Sequence, residues 1–196
     1  MTASSVTRAL DLYVDALGAV HAPVLEWLLP GATPAELDAA EAHAGFEFPP
    51  DARAVWAWHN GSIPPAPERM SYFTPGSWFP DITTAVDRGA QHVSNWVDAM
   101  GQESGFVGAH LIALLVPWGF PGLMTIDCAP SGAEDATALR FGREDLYGDA
   151  GRSFSVTATI ELWTEWIRSQ WWTLDGNGRW TFDLTSTPPG SERHQF

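Results

Sequence analysis

The chain has 196 residues, 45% of them hydrophobic, with no lysine, ten arginines and 24 acids, for a formal net charge of −14 and a pI near 4.5. That length and apolar fraction suit one domain with a sizeable core; the charge excludes the cationic footprint that nucleic-acid phosphates require and favours a basic protein partner instead. The longest apolar run, Leu111 to Trp118, is too short to span a bilayer, and a single cysteine, Cys128, excludes a disulfide framework or a Cys-based zinc cluster, so a soluble, cytoplasmic protein without a membrane segment is expected.

Residues 5–28 carry Ala9, Leu12, Val14, Ala16, Leu17 and Val20 in a loose helical period, with Pro23 kinking or restarting the helix. Residues 1–28 are set apart as an N-terminal helical extension. Thr33, Pro34 and Glu36 then form a capping box with proline at the first helical position. Leu37, Ala40 and Ala44 give that helix a buried stripe, and Gly45 ends it in the left-handed conformation. Phe46 and Phe48 alternate around Glu47, Pro49-Pro50 makes a break, and a second helix is predicted from about Asp51 to His59, stopped by Asn60-Gly61.

Ile63 to Pro80 reads as a long loop with a turn at Pro75-Gly76. Asp81 caps a third helix, whose apolar positions Ile82, Ala85, Val86, Gly89, Val93, Trp96, Val97 and Met100 run up to Gly101. Leu111 to Val116, Leu123 to Cys128 and Ala136 to Phe141 are short apolar or alternating segments between Gly/Pro turns, as in an antiparallel meander, with a further strand expected at Phe154 to Thr157. A last helix is placed from Thr159, with Ile160, Trp163, Ile167 and Trp171 on one face, followed by a turn at Asp175 to Gly178 and an extended segment from Arg179 to Leu184. Residues 186–196 read as a flexible C-terminal tail.

The order of residues from Leu29 to Ser62, LPGATPAELDAAEAHAGFEFPPDARAVWAWHNGS, resembles the opening of the SMI1/KNR4 family, the SUKH superfamily. The resemblance extends through YFTPGSWFPDITTAV at 72–86, Pro117-Trp118 followed by TIDCAPSG, and Leu162 to Ile167, covering roughly residues 29–168. The Asp/Gly-rich loop usual between the central strands is shortened here to Gly-Phe-Pro-Gly, and Trp163 stands where phenylalanine is commoner; a second register puts Thr159, Ile160 and Trp163 on the last motif. The resemblance implies an α+β single domain at 29–185, with a central antiparallel sheet and helices packed on one side. It also implies protein binding without catalysis: bacterial members act as immunity proteins that neutralise a cognate toxin, often a nuclease, by occlusion. A regulatory or scaffold role, as in fungal members, is the alternative, and a small-ligand-binding protein a further one.

The residues themselves point to no catalytic centre. The six histidines form neither H-x-x-x-H nor H-E-x-x-H, and no lysine is present for a phosphate-binding P-loop. His59 reads as a helix C-terminal group, Cys128 as a buried thiol beside Asp127, and the Asp175 loop as a hairpin turn, since Arg179 occupies a position where a calcium loop needs a ligand. No metal, cofactor or catalytic residue is therefore assigned, and the protein is expected not to be an enzyme. Trp56, Trp96, Trp163 and Trp166 fall on apolar helical stripes and read as core. Trp78, Trp118, Trp171 and Trp172 are the places for an exposed aromatic anchor. Glu134, Asp135, Glu144, Asp145 and Asp149 make an acidic stretch opposed only by Arg140 and Arg143; with Trp78, Trp171 and Trp172 they form the expected partner-binding set for a basic protein.

Overall fold

The structure is a computed structural model that describes residues 5–66, 69, 72–101, 109–118, 123–129, 137–141, 153–183 and 185, the backbone alone being described at 96, 100, 137–141, 153 and 154. It is an α+β protein. Its described elements run α1 (Ser5–Ala19), a 3₁₀ helix (Pro23–Trp27), α2 (Pro34–Ala44), α3 (Pro50–Trp58), β1 (Ser77–Trp78), α4 (Ile82–Met100), β2 (Leu111–Pro117), β3 (Leu123–Asp127), β4 (Thr137–Phe141), β5 (Ser153–Ser155), α5 (Val156–Arg168), β6 (Trp172–Leu174) and β7 (Trp180–Phe182).

Local chemistry sets the first helical pair. Thr33 Oγ1 accepts the Glu36 amide at 3.3 Å, while Glu36 Oε2 accepts the Thr33 amide at 2.7 Å, closing the box at the start of α2. The two bonds from Thr33, backbone first, hold the Glu36 carboxyl below its usual range. Gly45 ends the helix at φ 79°, with its amide bonded to Glu41 O. Glu41 then reaches forward: its Oε1 accepts the Phe48 amide at 2.8 Å, and its Oε2 accepts Arg53 Nη1 at 2.5 Å, tying α2 to α3.

The end of α3 is fastened to two distant segments. Gly31 lies so close to α3 that a Cβ there would stand 2.0 Å from the Ala57 carbonyl oxygen. Ala32 N–H donates to Trp56 O at 2.8 Å and Asn60 N–H to Pro30 O at 3.0 Å. On the other side Trp56 Nε1 donates to Pro80 O, Asn60 Oδ1 accepts the Ile82 amide at 2.9 Å, and Asp81 Oδ1 accepts the Thr84 amide to cap α4. One short sequence thus positions α2, α3 and the start of α4.

The sheet is an antiparallel meander in the order β1-β2-β3-β4-β5, with a register irregularity between Ala113 and Leu115. Strand β2 is buried along Leu111 to Val116. Ile112, Leu114 and Ile126 join the main core, whereas Ala113, Val116 and Leu123 form a small separate cluster with Trp78. Helix α4 lies against β2 so tightly that a Cβ on Gly89 would come within 2.0 Å of Leu111 O.

Val6, Ala9, Leu10, Tyr13, Ala16 and Leu17 of α1 all lie in the main core. The leading helix thus shares one hydrophobic interior with residues beyond 29. It runs parallel to α5, with Ser5 beside Thr157 and the Tyr13 ring 5.7 Å from Trp163. Aromatic contacts continue through the interior from Tyr13 to Phe73 at 5.1 Å, Phe73 to Phe79 at 5.2 Å and Phe79 to Trp56 at 5.8 Å. The Tyr13 hydroxyl donates to Phe73 O, which satisfies it, and burial raises its pKa.

Two boundaries differ from expectation. Helix α5 begins at Val156, three residues earlier than the periodicity indicated, because Ser155 Oγ accepts the Ala158 amide and caps it; the β-branched Val156 and Thr157 read as strand when taken alone. The long loop after α3 contains β1, a two-residue strand made by pairing Ser77 and Trp78 with Pro117 and Val116. Such a strand has no sequence period of its own.

Candidate functional site

The expected partner-binding set does not assemble as one described surface. Glu134, Asp135, Glu144, Asp145 and Asp149 lie outside the described residues. Of the tryptophans assigned as exposed anchors, two are instead buried: Trp78 at 7% exposure and Trp172 at 5%. Trp78 is drawn inward by its pairing to β2, where it packs with Ala113, Val116 and Leu123. Trp172 sits edge-on to Trp166 at 4.8 Å and 6.0 Å from Trp180. Trp171 is half-buried, and Trp118, at 46% exposure, is the indole that is open to solvent. Trp56, Trp163 and Trp166 are buried as expected. Trp96 belongs to α4, and its side chain lies outside what is described.

What the structure brings together is an aromatic group at the end of α5 and in the β6–β7 hairpin. Trp166 contacts Trp171 at 5.0 Å, Trp171 contacts Phe182 at 6.0 Å, and Trp180 donates its Nε1 hydrogen to Tyr72 O at 3.2 Å. Phe182, which the sequence places only within the extended segment from Arg179 to Leu184, is 47% exposed. The signal that could have found it is the Asp-Gly-Asn-Gly turn between Trp172-Thr173-Leu174 and Trp180-Thr181-Phe182, two runs in which threonine stands between large apolar residues.

The hairpin's turn is built by Asp175. Its Oδ1 accepts the amides of Asn177 at 2.8 Å and Arg179 at 2.9 Å, and Gly178 takes φ 73°. These amides, Arg179 first, hold the Asp175 carboxyl below its usual range. Thr173 and Thr181 face each other across the strands with hydroxyl oxygens 2.7 Å apart.

A groove of about 440 Å³ lies beside this hairpin's supporting helix, between α1 and α5, and is lined by Leu12, Glu161, Thr164, Glu165, Arg168 and Ser169. It offers two carboxylates and one guanidinium over an apolar floor. Cys128 is buried, and its thiol is pushed far up, mainly by burial and then by the charge of Asp127. His59 Nδ1 lies 2.6 Å from Leu29 O, so this ring joins α3's end to the segment before α2. Among the described residues no group of three or more His, Cys, Asp or Glu side chains is placed to hold a metal ion. Among them, too, no helix is long and apolar enough to cross a membrane.

Compared with known proteins, the chain matches no family model, and no curated protein matches it.

Proposed function

We propose that this protein is a non-enzymatic protein-binding domain of the SMI1/KNR4 type that acts as an immunity protein, occluding a basic cognate toxin. The observation that carries the reading is the structural use of the resembling segment. Gly31, Thr33, Glu36, Gly45, Arg53, Trp56, His59 and Asn60 each make a close backbone approach, a cap or a bond that joins one helix to another segment. Residues whose spacing suggests a family are here the residues that position three helices, which is what a packing signature should do. The charge of −14 supplies the second support, since an acidic surface competes for the cationic groove of a nuclease and accelerates encounter with it.

The test is capture of partners from the native host by the tagged full chain, followed by co-expression with each captured protein. The expected result is a basic protein whose toxicity is suppressed, with association slowed by charge reversal at Glu144 and Asp145 and weakened as salt rises beyond about 0.15 M. Capture of a signalling or cell-wall assembly protein with no toxicity would favour the scaffold role. Turnover of a substrate that survives repurification and disappears on a single His, Asp or Cys substitution would overturn the non-enzymatic reading.

A further inference from the structure

Among the described residues, no strand pairs with the outer edge of the β6–β7 hairpin. In this hairpin Asp175 N–H donates to Arg179 O, and Asp183 N–H donates to Trp171 O. With Thr173 opposite Thr181 in the register, the hydrogen-bonded positions are 171/183, 173/181 and 175/179. Trp180 and Phe182 stand at the intervening positions, so their amide and carbonyl groups point away from β6. Among the described residues neither backbone has a partner on that side. The corresponding groups of β6 belong to the buried Trp172 and the half-buried Leu174, whereas those of β7 belong to the half-buried Trp180 and the exposed Phe182. The outer side of β1, by contrast, is folded back, Thr74 and Ser77 exchanging both backbone bonds.

We propose that β7 pairs with β7 of a second copy of this chain, antiparallel about a two-fold axis through Thr181. The sequence of the strand is self-complementary in that register. Phe182 of one copy stands opposite Trp180 of the other, and Arg179 stands opposite Asp183, each pair occurring twice by symmetry. The outward amides and carbonyls of Trp180 and Phe182 then form four backbone hydrogen bonds, and two hairpins become one four-stranded sheet. Aromatic and opposite-charge pairs directly across antiparallel strands are the favourable ones. Proteins commonly guard an exposed edge with charge; here the flanking charges are of opposite sign, so self-pairing brings attraction where a like-charged edge would repel. Asp183 is held at the strand end by accepting the Thr185 amide at 2.9 Å. The net charge of −14 opposes approach, but at about 0.15 M salt that repulsion is screened beyond roughly 8 Å, whereas paired strands lie about 5 Å apart.

The test is sedimentation of the full chain at about 0.15 M salt from roughly 1 μM to 1 mM, with amide exchange read in parallel. The expected result is a reversible dimer in which the Trp180 and Phe182 amides gain protection with concentration, while that of Thr181, already bonded to Thr173, does not change. Arg179→Asp and Asp183→Arg should each weaken the dimer roughly tenfold, because each turns both charge pairs repulsive. The double variant should recover wild-type association, since the pairs are then restored with their signs exchanged; its recovery also shows that both substitutions leave the fold intact. A monomer across the whole range, a dimer indifferent to the single reversals, or a loss that the double variant does not repair would each overturn the proposal.

Discussion

Gly18 in α1 and Gly89 in α4 both sit within helices, and replacing each with alanine should move stability in opposite directions. Glycine in a helix interior costs up to about 1 kcal/mol relative to alanine, through the backbone freedom it loses on folding. Gly18 is next to the last residue of α1, where that cost is only partly felt, and a Cβ there would meet nothing closer than Leu25 Cδ1 at 3.9 Å, an ordinary contact, so Gly18→Ala should gain a fraction of that amount. At Gly89 a Cβ would stand 2.0 Å from Leu111 O, 2.7 Å from its carbonyl carbon and 2.9 Å from Ile112 Cα, all of them backbone atoms that cannot rotate away. Helix α4 must then part from β2 by roughly an ångström, and forcing extra volume into a packed interface costs about 1–3 kcal/mol, sometimes more. Set against a propensity gain of up to about 1 kcal/mol, Gly89→Ala should lose up to about 2 kcal/mol. For a chain of this size each kcal/mol moves Tm by about 2–4 °C, so urea midpoints and thermal melts separate the two variants easily. If Gly89→Ala were as stabilising as Gly18→Ala, α4 would not lie backbone to backbone on β2, and the packing described for this sheet would be wrong.

Further outcomes follow from single groups. Thr125 is fully buried in β3 and its Oγ1 has no hydrogen-bond partner among the described residues, so Thr125→Val should raise the unfolding free energy read from urea melts by about 1 kcal/mol, where an isosteric change in a satisfied site would lower it. Gly45 takes φ 79° in open space, so Gly45→Ala should cost about 1 kcal/mol from conformation alone, and Thr33→Ala about 0.5–2 kcal/mol from the lost cap, both measured by denaturant melts. Burial lowers the His92 pKa, so the unfolded chain binds the proton more readily than the folded one. The contribution of His92 is then complete above its unfolded pKa near 6.5 and declines as pH falls below it; His92→Gln should remove that part of the slope in urea midpoints taken between about pH 7.5 and 5.5.

Elements whose instructions are local were legible from the sequence. The capping box at Thr33, the glycine stop at Gly45, the Asp81 cap and the Asp175 turn each act within five residues, and each forms the bond its spacing implied. Burial of a particular tryptophan is not local. Trp78 is covered because a two-residue strand meets β2 nearly forty residues later, and Trp172 because the chain turns back after α5 and closes its hairpin over Trp166. Neither fact has a period or a motif. The same limit explains α1: its apolar stripe was readable, but its partner α5 lies about 150 residues away in the chain, so its place in the core could not be read from the stripe alone.

Surface function follows the same division in a sharper form. Charge is additive along a sequence, so a preference for a basic partner can be inferred from composition before any fold is known. An edge strand is not additive: it exists only where pairing stops. The residues Arg179, Trp180, Thr181, Phe182 and Asp183 read as an unremarkable extended segment until the register with Trp172 to Leu174 shows which backbone groups point outward. Only then does their order become a recognition element, because positions 179 and 183, and 180 and 182, exchange places under a two-fold axis. The two candidate surfaces therefore answer to different perturbations. Charge-driven encounter with a basic partner should respond chiefly in association rate and salt dependence, whereas strand pairing at β7 should respond to register and to the sign of two particular residues. The exchange of Arg179 with Asp183 leaves net charge unchanged, so the double variant alters neither the long-range attraction nor, by symmetry, the pairing; each single reversal alters both. Comparing the two single variants separates them, since Asp183→Arg makes the chain less acidic and Arg179→Asp more so, yet both should weaken β7 pairing alike.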